Sequence, residues 1–405
     1  MSLAATLDAQ PVNNPVGKGT IDVSADGAKV NNVVIEGELN GDWTRVFDLF
    51  NLDATQFEVV DDTVRMSTWQ QSARAKDGSR DSIQLYSYSA RFRRVTRDMI
   101  PAATVESWRK ALQSVKDRPT RKRKTATVLA ATYTVFVADP QLGKKNTEQA
   151  VENWKRGVLG HVAAIEALIA QGRKPSGIHV AFMGDETEGV CNNYGNQPHT
   201  IELNMSRQLE LDYDMRVWTF RQLIPFGLPL SASSVISNHG EMTRNGSKEP
   251  VTTQGDNAST HIARQVQKLF QETEPFGGPH IDWTIGGGDP AVLVNLSGVN
   301  SYFSHGYIEK GKGGSTEIRT KTAIERQILG RTETLGAVPL YFVAHYHHFY
   351  TNEFEGRSLF GMPALEAERS SEYMLNQYGV WSPPGMLGML VGEHTRRRWS
   401  DLSVL

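Results

Sequence analysis

A single cysteine, Cys191, in a chain of 405 residues excludes an internal disulfide and a thiolate-bound zinc cluster. Long apolar runs are absent too. None approaches the roughly 18 residues that a membrane helix needs, and the residues after Met1 show no basic-then-apolar leader. The expectation is a soluble, cytoplasmic protein without a membrane partner. Charge of one sign is also missing. A formal net charge of -2 gives no global pull toward nucleic acid or anionic lipid, so any site for a polyanion must be a local patch. There is no internal repeat and no low-complexity tract. What remains is a globular composition, 39% hydrophobic and 22% charged, in a chain too long for one ordinary core. Two domains are expected.

Residues 1 to about 30 are rich in Asn, Gly, Asp and Ala and read as a loose arm. A short helix is expected over 43–50, with Trp43, Val46, Phe47 and Phe50 on one face. Strands are expected at 33–35, 56–60, 63–70 and 82–95. In the last of these, Tyr86, Tyr88, Ala90 and Phe92 share a face. That face, near Arg91 and Arg93, reads either as a buried sheet face or as a platform for stacking bases. With a helix over 104–115, residues 1–117 form a small accessory α+β domain. A basic linker follows at 118–130, continuous with the run K-D-R-P-T-R-K-R-K-T at 116–125. It reads as a solvated hinge or as a strap on backbone phosphates. From 131 to 405 the pattern alternates strand and helix. Long helices are expected at 147–170 and within 201–224, shorter ones at 260–271 and 323–329, and β-hairpins after 349.

The segment V-F-V-A-D-P-Q-L-G, 135–143, organises this second domain. A β-branched and aromatic run stops at Asp139 and presents Gln141 two residues on. In open α/β sheets, ligands bind at the carboxyl ends of strands. Four later segments share the form, an apolar strand and then a metal-ligand type at once. They end at Asp185, at Asn238 and His239, at His305, and at His345 to His348. Two divalent ions about 3.5–4 Å apart need a bridging ligand. Asp185, after a glycine that lets the backbone approach closely, is assigned the bridge. Asp139 supplies an oxygen to the first ion and Gln141 can add its amide oxygen. His345 and His347, two apart, project from one face of an extended segment and reach different ions. His305 and Asn238 complete the second ion. Taken singly, each residue has an ordinary reading as a cap, a loop pair or a core histidine; the order of all five is what points to a site.

That order, D-x-[HQ], G-D, N-H-x-E, H, [GA]-H-x-H, closely resembles the calcineurin-like metallophosphoesterase superfamily over roughly residues 130 to 350. The resemblance implies an α/β fold, a four-layer α/β/β/α metallophosphoesterase sandwich, with a dinuclear site. It places Asp139, Gln141, Asp185 and His347 on one ion and Asp185, Asn238, His305 and His345 on the other. His239 matches the histidine that binds no metal and assists at the scissile phosphate. Three departures stand out. The first motif usually ends in His, and here it is Gln141, whose harder oxygen favours manganese, or magnesium, over softer ions; iron and zinc remain alternatives. An acid usually follows the third-motif histidine directly, and here Gly240 precedes Glu241. Ser237 and Ala344 stand where glycine is common, a minor change. His348 reads as a supporting or structural histidine, and Arg244 as a phosphate clamp or a surface ion pair.

The expected function is metal-dependent phosphodiester hydrolysis, with nucleic acid, in the first place DNA, as substrate. The superfamily branch with a paired His-x-His and a separate His includes DNA-repair nucleases, and the layout also looks like phosphoesterases carried by bacteriophages. The alternatives are a phosphomonoesterase or small cyclic-nucleotide phosphodiesterase, and a non-catalytic phosphate-binding protein. Homo-oligomer formation and a partner protein are left open.

Overall fold

In the computed structural model, the described residues are 16–24, 27–74, 80–94, 102–113, 127–191, 193, 197–243, 250–307, 314–368, 375, 379 and 381–405. Arg244, residues 1–15 of the expected arm, and residues 114–126 with the whole basic run at 116–125 lie outside them. The chain divides into two compact units, Met1–Arg97 and Asp98–Leu405.

The first unit is an antiparallel sheet of β1 (Thr20–Val23), β2 (Gly27–Glu36), β3 (Phe57–Val59), β4 (Arg65–Arg74) and β5 (Arg80–Arg94). The long β5 pairs with β2, β3 and β4. The helix α1 (Thr44–Asp48) seals one face, where Val30, Val33, Ile35, Phe47, Tyr88 and Phe92 are buried together. Trp43 meets the Phe92 ring edge-on at 4.9 Å. Tyr88 and Phe92 are therefore core residues, each 4% exposed, which removes them from any base-stacking platform.

The expected helix near 104–115 forms as α2 (Ala102–Gln113) but belongs to the second unit. Trp108 enters that unit's core, and Arg109 Nε lies 2.9 Å from Asp214 on a later helix. The boundary thus falls near residue 97 rather than 117. A helix of this length is held by the face it buries, and that face meets the later segment.

The second unit is built on two sheets. The first contains β7 (Thr132–Val137), β9 (Gly177–Phe182), β10 (Leu230–Ser234) and β11 (Ile281–Ile285), all parallel, continued antiparallel by β17 (Leu387–Val391) and β18 (Trp399–Val404). The second contains β12 (Ala291–Leu296), β13 (Val299–Ser304), β14 (Leu340–Val343), β15 (Tyr350–Phe354) and β16 (Arg357–Gly361) in the order 12-13-14-16-15. A short pair, β6 (Thr127–Val128) and β8 (Arg173–Lys174), lies outside both.

Every residue of β7 is buried, as a strand covered on both faces requires. Tyr133, Val135 and Val137 join a core with the helices α3 (Thr147–Ala170), α4 (Met205–Leu223) and α5 (Ala258–Thr273). Phe136 and Ala138 turn the other way, onto Phe303, Leu340, Phe342 and Phe360 of the second sheet. The far face of that sheet buries Tyr302, Tyr341 and Val343 against Ile324 of α6 (Thr316–Gly330) and Leu335 of α7 (Thr332–Leu335). The layers run helix, sheet, sheet, helix, which is the expected four-layer α/β/β/α sandwich. The strand β7 and the two long helices lie where hydrophobic periodicity puts them, and α6 begins about two turns earlier than its apolar residues indicate. The two C-terminal hairpins separate: β15–β16 closes the second sheet while β17–β18 extends the first.

Candidate metal centre

Five strands end within four residues of a polar tip: β7 before Asp139, β9 before Asp185, β10 before Asn238, β13 before His305 and β14 before His345. Since β7, β9 and β10 are parallel, as are β13 and β14, the tips emerge together at one edge of the two sheets. Backbone bonds lock them to one another. Asp139 N–H donates to Gly184 O at 3.2 Å and Gln141 N–H to Asp185 O at 2.9 Å. His345 N–H donates to Asp139 Oδ2 at 3.2 Å, and His239 N–H to Asp185 Oδ1 at 2.9 Å.

The imidazoles define what the cluster can bind. His305 Nδ1 is 2.9 Å from the carbonyl oxygen of Met183, which only accepts, so this nitrogen carries the proton. In the neutral ring, Nε2 then presents a lone pair, 2.9 Å from both Asp185 Oδ2 and Asn238 Oδ1. Three electron-rich atoms converge there, and a cation among them relieves the repulsion. The donor atoms of Asp185, His305 and His345 all lie within 4.8 Å of one another, a spacing that could hold a metal ion. Asp185 Oδ2 and Asp139 Oδ1 are buried and accept no hydrogen bond among the described residues. Groups left so in a folded interior are costly unless an ion or water meets them. The donor set fits a divalent ion.

His347 repeats the pattern. Its Nδ1 is 2.6 Å from Glu366 Oε1, which leaves Nε2 facing Asp139 Oδ1 at 3.2 Å. A carboxylate behind an imidazole is how proteins orient metal-ligating histidines. Burial works against charging His347, but Glu366 and Asp139 outweigh it and raise its pKa to about 10. Desolvation and the neighbouring His305 hold the half-buried His345 well below the usual imidazole range, as suits a neutral ligand. For Asp185, burial favours the acid, yet His305 and His239 hold the carboxyl below its ordinary value.

Backbone conformation sets the site apart as well. Asp139, Gln141, Asp185, His345 and His347 all adopt positive φ, between 45° and 71°. Such a conformation costs a non-glycine residue about 1–2 kcal/mol. Its repetition at five residues on three of the tips means the surrounding structure enforces it, as happens at functional sites.

His239 stands beside the cluster, its Nε2 4.0 Å from Asp185 Oδ2. Its Nδ1 is 2.8 Å from the Glu188 carbonyl oxygen and 3.2 Å from Glu188 Oε2. Burial opposes the charged ring, but Glu188 and Asp185 prevail and raise the pKa to about 9. Glu241 stands one residue beyond the usual place of the acid, and the carboxylate at the His239 ring is Glu188, from the turn after Asp185. Glu241 is buried and bridges Asn257 through the backbone. His348 lies away from the converging donors, with Nδ1 2.8 Å from Tyr346 O and Nε2 3.4 Å from Glu317. His280 is exposed between Glu274 and Asp282. His161 is a packed core residue between Tyr133 and Met386.

Three contributors escaped sequence reasoning. Glu366 lies in an irregular stretch after β16, more than 220 residues beyond its partner Lys144, without a local pattern. Glu188 had a signal, since it shares the tip turn with Asp185, but only the fold turns it toward His239. The hydroxyl of Ser237 accepts the Asp185 N–H at 2.9 Å, so the replacement of glycine there has structural consequence.

No protein-family model matches the chain, and no curated protein matches its sequence. Among solved structures, an archaeal phosphodiesterase aligns with 67% of this chain and 99% of its own, at 9% identity and a TM-score of 0.29. A Vps29 single mutant from Entamoeba histolytica aligns with 44% of this chain and 82% of its own, at 10% identity and a TM-score of 0.21. Wild-type Vps29 of the same organism, complexed with zinc, aligns with 43% of this chain and 82% of its own, at 10% identity and a TM-score of 0.19. Likeness this slight decides nothing about the chemistry, which rests on the side chains themselves.

Proposed function

We propose that the chain is a metal-dependent phosphodiester hydrolase that acts on nucleic acid, with DNA as its substrate and manganese as its preferred ion. The observation that carries this is the meeting of acceptor atoms at Asp185, opposite His305, Asn238 and His345. In this reading Asp139, Gln141, Asp185 and His347 hold one ion, and Asp185, Asn238, His305 and His345 the other. Divalent ions there would neutralise charge on the phosphoryl oxygens and acidify water. The chain's own residues do the rest. Glu366 and the Met183 carbonyl keep the Nε2 atoms of His347 and His305 pointed inward. Glu188 holds His239 by Nδ1, so that Nε2 can donate a proton to the leaving oxygen or stabilise its charge. The separate N-terminal unit and the basic stretch at 116–125 suit a polymeric substrate better than a small ester.

The test is a manganese-supplemented panel of labelled single-stranded DNA, bis-p-nitrophenyl phosphate and p-nitrophenyl phosphate. Cleavage of DNA and the diester is expected. His239→Ala should lower turnover about 10²–10⁴-fold while manganese binding persists. Cleavage of the monoester alone would refute the nuclease reading. Turnover of no ester, with metal bound normally, would make the site a phosphate-binding one.

A further inference from the structure

The two ion positions proposed above have unequal surroundings. Around Asp185, Asn238, His305 and His345 the groups that converge are electron donors. The position of Asp139, Gln141 and His347 has a cation of the chain's own beside it. Lys144 Nζ lies 2.6 Å from Gln141 Oε1 and 2.7 Å from Glu366 Oε2, its side chain 12% exposed. An ammonium group donates and never accepts, so Gln141 must turn its carbonyl oxygen toward it. That oxygen is the one an ion would take. Glu366, itself buried, joins the lysine to the Nδ1 of His347, so the positive charge is anchored through a ligand's own support.

The pairing also gives a reason for glutamine at position 141. An amide oxygen has two lone pairs and can serve an ammonium and, more weakly, an ion. An imidazole nitrogen has one and cannot serve both. A dication entering this position meets a fixed positive charge on a shared ligand atom, in a buried setting where like charges repel strongly.

We propose that Lys144 is a built-in cation that weakens ion binding at the Asp139–Gln141–His347 position, so that the chain holds one divalent ion tightly, at Asp185–Asn238–His305–His345, and a second one weakly. The inference rests on the metallohydrolase reading and adds an ordering of its two ions.

The test is manganese titration of the chelator-stripped full chain by calorimetry, with bound metal counted by atomic emission. Wild type should take up one ion tightly and the second at least about tenfold more weakly. Lys144→Met should bring the second affinity close to the first, and Lys144→Arg should keep the gap. Because Lys144→Met leaves the Glu366 carboxylate without its lysine, a second neutral variant that carries a donor amide, Lys144→Gln, is measured beside it, with folding followed by circular dichroism. It should show the same tightening. Two ions of equal affinity in wild type, or a second affinity unchanged in both variants, would overturn the inference and leave the metallohydrolase reading intact. Folded wild type that binds no manganese would overturn both.

Discussion

Gly184 offers the sharpest test of the site's architecture. It directly precedes the proposed bridging carboxylate, has φ of +94°, and is packed closely. A Cβ added there would lie 2.6 Å from Ser237 Cβ and 2.8 Å from His305 Nδ1. Gly184→Ala therefore combines two penalties. Left-handed backbone costs alanine about 1–2 kcal/mol, and forcing a methyl into a filled core costs about 1–3 kcal/mol. Reduced freedom of the unfolded chain returns about 0.4–1 kcal/mol. The net expectation is a loss of about 2–4 kcal/mol. Gly172→Ala is the matched control. Its φ is +83° with nothing within 4 Å of the new methyl, so only the backbone strain applies. It should lose about 1 kcal/mol or less. Urea midpoints of both variants measure the difference, and manganese titration shows whether the displaced His305 weakens binding. Equal midpoints for the two variants, with metal affinity unchanged in Gly184→Ala, would refute the packing argument around His305.

Two other predictions concern groups outside the metal cluster. Burial lowers the pKa of His161 to about 4 and of His179 to about 3. In the unfolded chain both protonate near pH 6.5. The unfolded state thus binds more protons below that pH, so stability is fully present above pH 6.5 and falls as pH drops toward 4. At about 1.4 kcal/mol per unit of separation, the two rings together contribute several kcal/mol. Urea midpoints at pH 7.5 and 5.5 should show the drop, and His161→Gln should flatten it; an unchanged slope contradicts this. Arg216 is fully buried between Asp212, at 2.8 Å, and Glu186, at 3.1 Å, beneath the Asp185 turn. Arg216→Met leaves two buried carboxylates unpaired and should cost about 3–5 kcal/mol. Adding Asp212→Asn should recover part of that loss, and no recovery would mean that the ion network is not what Arg216 supports.

The alternation of strand and helix in the second unit and the metal-ligand types at its strand ends were legible in the residue order, whereas the four-layer order was implied by the resemblance that those motifs carry. Apolar runs that stop abruptly, and helices at a 3.6-residue period, are local patterns set by side-chain size and polarity. Hence α3 and β7 appear where periodicity puts them, and Asp139, Gln141, Asp185, Asn238, His305, His345 and His347 come from reading the tips. Three things depended on tertiary contact. The helix α2 joined the second unit because Trp108 and Arg109 find partners there. The carboxylate at the His239 ring is Glu188 rather than Glu241, a choice made by how the Asp185 turn folds back. Glu366 and Lys144 reach the site from segments far apart along the chain, paired by charge in a buried space. Residue order determines which atoms can bind an ion. Only folding decides which charges are enclosed beside them, because desolvation and Coulomb forces act on distance in space.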